Sequence, residues 1–483
     1  MYYPTLEQVK ESAGTANLVP IHREISADLE TPVSAYLKIA KPPYSFLLES
    51  VEGGEHIGRY SFIGTEPTKV FKTGEGEEYG QIDPLIPIEE ELAKYRLAEF
   101  PDAERFNGGA VGYVSYDAVR YFEKLPTPDV DTIGVPESIF MLTSTFVVFD
   151  HLRHRMRVVS HAFLDGDGDV DAAYAAAVER IDEIAARLES PVQVPNAAVG
   201  DGVKGTENEM NMTTDYYNDM VAKTREYIIN GDVIQTVVGQ RTARRTDAHP
   251  FQIYRALRAI NPSPYMYYLE LDGFQVVGAS PEMLVQVENG TVSVHPIAGT
   301  RRRGKDEAED LALEEDLRTD EKEQAEHIML LDLGRNDVGR VSKPGTVNVS
   351  QVMDIERYSH VIHLVSHVTG ELRDGMSIYD ALRSCFPAGT VSGAPKIRAM
   401  EIVAELEPDR RGVYAGAVGY FDFAGNMDTA IAIRTLVVKG GYAYAQAGGG
   451  VVYDSTAENE YMETVHKVAA TLRAIDQAEE AMG

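Results

Sequence analysis

Tryptophan is absent from the 483 residues, and Cys385 is the only cysteine. A single thiol cannot close a disulfide within the chain, so a disulfide scaffold is excluded and a reducing, cytoplasmic setting is expected. Cys385, in "LRSCFP", reads as a small buried apolar residue and not as a nucleophile. No run approaches the ~20 consecutive apolar residues of a membrane helix. The first residues, "MYYPTLEQVKES", lack the basic-then-apolar layout of a secretory leader. Positive charge is scarce, with 45 Lys and Arg against 76 Asp and Glu, a formal net charge of −31. There is no basic stripe with interleaved aromatics, so such a surface repels phosphate backbones and nucleic acid is excluded as a partner. A small anionic substrate would need a local cation or a metal ion. What remains is ordinary for a globular protein, 44% hydrophobic and 25% charged, in a chain too long for one simple core.

The fold class read from the pattern is α+β. An N-terminal region, 1–190, mixes strand-like runs such as "MLTSTFVVFD" with the amphipathic helix of 169–190. The stretch 191–211, with two prolines, three glycines and no periodicity, reads as a linker to a region 212–483. Thr213 or Thr214 caps a helix that leaves at Gly231. Asn289-Gly290 is a type I′ hairpin signal between "QVVGASPEMLVQV" and "TVSVHPIAG", and further hairpins follow at Gly425-Asn426 and Gly440-Gly441. Serial hairpins predict antiparallel sheets, with helices from "AEDLALEEDLRTDEKEQAEHIMLLDL" and "APKIRAMEIVAEL" on a face.

Two Glu-x-x-Glu pairs stand far apart in the chain, Glu323 with Glu326 and Glu460 with Glu463. On a helix, residues i and i+3 share a face, so each pair points one way. Brought together, the faces would make an oxygen-rich site for a hard cation such as Mg²⁺, which takes about six oxygens and keeps some waters. Two solvated helix faces remain the alternative reading. "PAGTVSGAPK" fails as a phosphate-binding P-loop, because Pro395 stands where glycine is required. A helix beginning there, with Ser392 as a cap and Lys396 behind it, would still favour an anion. Gly448, Gly449 and Gly450 in succession leave backbone N–H groups able to grip a carboxylate, although a turn is the commoner use.

Eight stretches follow one another in an order that resembles the chorismate-utilising enzymes, and among them the chorismate-binding subunits of anthranilate synthases. They are "GASPEMLV", "PIAGTRRRG", "KEQAEHIMLLDLGRNDVGR", "IERYSHVIHLVSHVTG", "FPAGTVSGAPKIRAMEI", "RGVYAGAVGY", "DTAIAIRT" and "QAGGGVVYDSTAENEYMETVHK". The resemblance is dense over 211–478 and sparser in "FLLES" and "GRYSFIG". It implies a layered sandwich of antiparallel sheets with the site in a cleft. Glu326 and Glu463 are then expected to hold Mg²⁺ against the ring carboxylate of chorismate, with Glu323 and Glu460 supporting the site and its waters. The enolpyruvyl carboxylate is expected on Arg434 and Tyr414 near Gly448, Gly449 and Gly450, and Gly299 and Thr300 in contact with substrate. Relatives commonly carry Ala where this chain has Gly449, a change expected to leave binding intact.

Single positions imply the reaction. Relatives that aminate at C4 carry a lysine nucleophile where this chain has Ala298, and those forming isochorismate use a lysine where it has Gln235. Both differences imply amination at C2 by ammonia, with Glu282 as general acid for the departing C4 hydroxyl. His363 and Thr390 match residues associated with pyruvate elimination. Glu49, Ser50, Pro264, Tyr265 and Met266 match the segments that bind tryptophan as an inhibitor, and a Trp-free chain suits an enzyme made when tryptophan is scarce. With Cys385 inside a matched segment, use of glutamine implies a separate amidotransferase subunit, in a heterodimer or heterotetramer.

Overall fold

Asn289 and Gly290 take φ angles of 50° and 76° and close the expected hairpin between Met283–Glu288 and Thr291–Val294. The structure, a computed structural model, describes residues 1–51, 58–100, 105–164, 168–195, 204–358 and 361–481. Several of the expected helices begin where a side chain satisfies their first free N–H groups. Asp169 caps Val170–Leu188, and Thr213 caps Thr214–Ile229. The acidic run expected as one helix is two, Glu307–Thr319 and Glu321–Val341. Asp320 separates them by leaving helical ψ and accepting from the N–H groups of Lys322 and Glu323.

Among the described residues the strands form one sheet of 13 and another of 10, with antiparallel pairing. Phe46, Phe62, Tyr267 and Val276 of the first sheet pack against Val111, Tyr113, Ile139 and Val418 of the second. Helices cover both outer faces, through Ala35, Ile181, Leu257 and Ile475 on the first and Ile88, Leu331 and Leu382 on the second. Each such apolar side chain contributes about 1.5–3 kcal/mol by leaving water.

The regions 1–190 and 212–483 are not separate layers. Ser45–Glu49 pairs with Tyr265–Leu271, Met266 opposite Glu49, and Gly109–Val114 pairs with Ala417–Asp422. The stretch expected as a linker ends in a strand, Lys204–Met210, whose Met210 lies opposite Thr242 of Gln235–Thr246. Residues 191–195 of that stretch, with both its prolines, carry no regular element, and 196–203 lie outside the described residues.

Two runs that read as single strands each cross from one sheet to the other. Phe274–Ser280 belongs to the first sheet and Met283–Glu288 to the second, with Pro281 and Glu282 at the crossing. Proline cannot donate to a ladder, which suits it to this break. Met427–Ile431 belongs to the second sheet and Thr435–Lys439 to the first, and Arg434 at the crossing has a φ of 51°. The crossings lie side by side, the N–H of Ile431 donating to Glu282 O at 3.1 Å and that of Ala279 to Arg434 O at 3.2 Å. No helix among the described residues is long and apolar enough to cross a membrane.

Candidate active site

The paired crossings set Glu282 and Arg434 on neighbouring segments, joined by the Ile431–Glu282 and Ala279–Arg434 backbone bonds. Glu282 is only 8% exposed. Burial pushes its carboxyl up to about 8, against the pull of the nearby Thr390 hydroxyl and of Lys467. Thr390 stands beside that carboxyl, yet its Oγ1 closes no hydrogen bond of full geometry. A buried carboxyl so placed is uncharged at neutral pH and can donate a proton.

Arg434 donates from Nη1 to the Lys467 carbonyl at 2.9 Å. Burial lowers its proton affinity, with Tyr414 and Glu463 opposing; a guanidinium remains charged regardless. Tyr414 is buried, its phenol pushed up to about 12 by desolvation. Lys467 extends Nζ to Gly448 O at 2.8 Å. Thr435–Lys439 pairs with the glycine-bearing strand only as far as Ala445. Gly448, Gly449 and Gly450 are therefore neither a turn nor an isolated loop: they continue the strand against Gly239, Val238 and Val237.

His363 lies across the ladder from Thr300. Its Nδ1 is 2.9 Å from Gly299 O and 3.1 Å from Thr300 Oγ1. A carbonyl can only accept, so Nδ1 carries the proton and Nε2 is left with a lone pair. Burial holds this imidazole below its usual range, aided by Arg434 and opposed by Gly299 and Glu356. Gly299 has a φ of 66°, and a Cβ there would stand 3.1 Å from Glu323 Oε2. That close approach puts the histidine side of the cleft against the first glutamate pair.

Glu323 and Glu326 project from Glu321–Val341 and Glu460 and Glu463 from Ala457–Glu480. Burial, then the charges of Glu323 and Glu463, raise the proton affinity of Glu326, while Gln235 opposes. The two helices therefore do bring their carboxylates within electrostatic reach. They are not gathered into a coordination set, since among the described residues no three His, Cys, Asp or Glu side chains stand close enough to hold a metal. Two of the glutamates have cationic partners instead: Glu323 pairs with Arg301 at 3.0 Å and Glu463 with Lys467 at 2.5 Å. The donor chemistry nonetheless suits a hard cation. Glu460 is buried with one oxygen on Ser455 at 2.6 Å, and its Oε2 has no hydrogen-bond partner. An orphaned buried carboxylate oxygen is costly, and a cation would relieve it.

Lys396 is engaged by Asp337 at 2.7 Å and the Cys385 carbonyl at 3.1 Å, and Ser392 donates to Ala388 O instead of capping. The Lys396 charge is therefore committed to Asp337, and the helix start has no side-chain cap. Cys385 is buried, which raises its thiol far above the reactive range. Lys467 and Arg301 went unremarked in the sequence. The Glu463–Lys467 spacing of four is visible in "ETVHK", whereas nothing local links Arg301 to Glu323.

A second concavity, of about 1340 Å³, is lined by all five residues matched to inhibitor binding: Glu49, Ser50, Pro264, Tyr265 and Met266. Glu49 is held by Arg258 at 3.0 and 3.1 Å and by the Tyr254 hydroxyl at 2.5 Å. Tyr265 donates to Asp428 at 3.1 Å.

Comparison with known proteins decides the family. The model for chorismate binding enzymes matches residues 43–473. Anthranilate synthase component 1 of Acetivibrio thermocellus is 47% identical over 99% of this chain and 100% of its own. The same component from Pseudomonas aeruginosa is 48% identical over 99% of each. The chain belongs to the anthranilate synthase component 1 family of chorismate-binding enzymes. The crystal structure of anthranilate synthase component I from Streptococcus pneumoniae superimposes with a TM-score of 0.77 at 37% identity, covering 92% of this chain and 99% of that one. The isochorismate synthase MenF of Escherichia coli shares the fold, with a TM-score of 0.73 at 18% identity over 97% of this chain and 98% of its own.

Proposed function

We propose that this member of the anthranilate synthase component 1 family converts chorismate and ammonia to anthranilate, pyruvate and water, the first committed step of tryptophan biosynthesis. The observation that carries the reading is Glu282, a carboxyl whose proton affinity is raised by burial, beside the Thr390 hydroxyl and within the field of Lys467. Arg434 and the open edge of Gly448–Gly450 suit the enolpyruvyl carboxylate, because a guanidinium fork pairs with a carboxylate at two points. Glu326 and Glu463, supported by Glu323 and Glu460, would hold Mg²⁺, which when bound supplies the positive charge that lets an acidic cleft accept a dianion.

Glu282 gives its proton to the C4 hydroxyl as ammonia, oriented by the Gln235 amide, bonds to C2. His363 then removes the C2 proton at Nε2 as the C3–O bond breaks, pyruvate leaves the aromatic ring as its enolate, and the imidazolium returns the proton to it. Gly299 and Thr300 fix the imidazole, and Thr390 stands beside Glu282. In place of a lysine base at 235 or a lysine nucleophile at 298, this chain has Gln235 and Ala298, which supports amination at C2. The cavity at Glu49 and Met266 is proposed to take tryptophan as a feedback inhibitor. Ammonia is proposed to come from glutamine through a separate amidotransferase subunit, in the cytoplasm.

The test is purified protein with Mg²⁺, chorismate and an ammonium salt. Anthranilate fluorescence is expected without a partner, and glutamine is expected to support the reaction only once an amidotransferase subunit is added. Isochorismate or 4-amino-4-deoxychorismate as the product would overturn the reading.

A further inference from the structure

The strand Asn348–Arg357 carries a carboxylate with no place in the chemistry above. Glu356 lies directly across the ladder from His363. Its Oε2 accepts from the Tyr358 hydroxyl at 2.9 Å, and the ring of Tyr358 meets that of His363 edge-on, centroids 5.5 Å apart. Oε1 faces His295 Nε2 at 3.6 Å. The rings of His295 and His367 are in turn 5.7 Å apart, and both line the large cavity. A half-buried carboxylate thus stands between the imidazole of the active site and two imidazoles on the cavity wall.

We propose that Glu356 is a positioning residue for the proton step at His363, holding the charge that the imidazole gains, and that His295 ties this carboxylate to the cavity wall. The inference rests on the reading of His363 as the proton carrier. His363 has its Nδ1–H committed to Gly299, so a second proton can only arrive at Nε2 and make an imidazolium. Facing that cation are Glu356 and Tyr358 on one side, Gly299 and Thr300 on the other, and Arg434 across the cleft. Of these groups, Glu356 alone brings a negative charge. Facing Glu356 are His363, Tyr358 and His295, while His295 also meets His367 and lies within the field of His327. His295 and His363 therefore compete for one carboxylate. Whatever draws Glu356 toward His295, whether protonation or an occupant of the cavity, weakens its hold on the catalytic imidazolium.

The experiment is histidine-selective NMR titration of the full chain, with His363 assigned through His363→Asn, beside steady-state kinetics. In Glu356→Gln the His363 midpoint is expected to fall by about one pH unit, the size of effect an opposite charge at close range exerts. In the same variant kcat falls about tenfold or more while KM for chorismate stays within about twofold, since general-base assistance is typically worth 10²–10⁴. Glu356→Asp restores most of both. His295→Gln, which leaves the carboxylate to His363, moves the midpoint upward and serves as the second variant should Glu356→Gln not fold. An unmoved His363 midpoint in these variants, or a loss of chorismate binding equal to the loss of kcat, overturns the proposal. The titration needs no turnover, so failure of the wild-type protein to form anthranilate would refute the proposed reaction while leaving this coupling separately decided.

Discussion

The backbone N–H of Ile431 donates to the carbonyl of Glu282 at 3.1 Å, joining two chain segments at the level where each leaves one sheet for the other. That bond sets an acid and an arginine separated by about 150 residues of sequence on neighbouring segments. Each sits at a crossing, where the ladder is interrupted.

Glu282 is the first consequence to test. Its carboxyl is pushed up to about 8, so the proton-donating form is full below that value and is lost as pH rises through it. With ammonia kept saturating at each pH, kcat is expected to decline on the alkaline side with a midpoint near 8. Glu282→Gln lowers kcat by about 10²–10⁴ with little change in KM. Folding stability moves in the same direction: the native state holds a proton that the unfolded chain releases near 4.3, so wild-type stability falls between those values as pH rises. Glu282→Gln, uncharged throughout, is expected to be more stable than wild type at pH 8 by on the order of 2–4 kcal/mol. Denaturant melts at pH 5 and pH 8 read this directly, and equal pH dependence in both proteins would refute the burial argument.

Metal binding should be proton-linked. Glu326 has its proton affinity raised by burial and by its acidic neighbours, so a cation and a proton compete for it. Calorimetry at pH 7.5 and pH 5.5 should find Mg²⁺ weaker at the lower value, with protons released on binding. Glu326→Gln or Glu463→Gln is expected to abolish both binding and activity, and normal rates in either would end the metal assignment.

Gly449→Ala looks harmless from sequence. The structure gives it a consequence, because a Cβ there would stand 2.6 Å from Glu460 Oε2 and 3.3 Å from Glu460 Cβ. The carboxylate must move aside, so Mg²⁺ affinity is expected to fall severalfold and stability by about 1 kcal/mol. A magnesium titration and a thermal melt that both match wild type would mean that Glu460 has room to swing.

The proposed inhibition by tryptophan is separable from catalysis at Ser50, which lines the cavity. Ser50→Tyr occupies that space and is expected to raise the inhibitory concentration at least tenfold, leaving the uninhibited rate within about twofold. Coupling between sites is typically worth 1–3 kcal/mol, enough for such a shift to be seen.

Much of this was readable in the chain. Asn289-Gly290 announced its hairpin, the apolar spacing of 169–190 and the cap at Thr213 announced their helices, and the spacing of Glu323, Glu326, Glu460 and Glu463 announced two carboxylate faces. The crossings were not readable: "QVVGASPEMLVQV" and "DTAIAIRTLVV" have the apolar pattern of unbroken strands, and periodicity says nothing about which sheet a strand joins. Only Pro281 gave a local hint of the break. The ion pairs that Arg301 and Lys467 make with Glu323 and Glu463 depend on approaches set by tertiary packing, and Glu356 became visible only through its place opposite His363.

The pairing of Ser45–Glu49 with Tyr265–Leu271 and of Gly109–Val114 with Ala417–Asp422 bears on how the chain is made. A ribosome delivering it from the N-terminus exposes the early strands long before their neighbours exist. Folding to completion must wait for the final hundred residues, so the nascent first half travels with open sheet edges, the condition under which chaperone capture or aggregation competes most strongly.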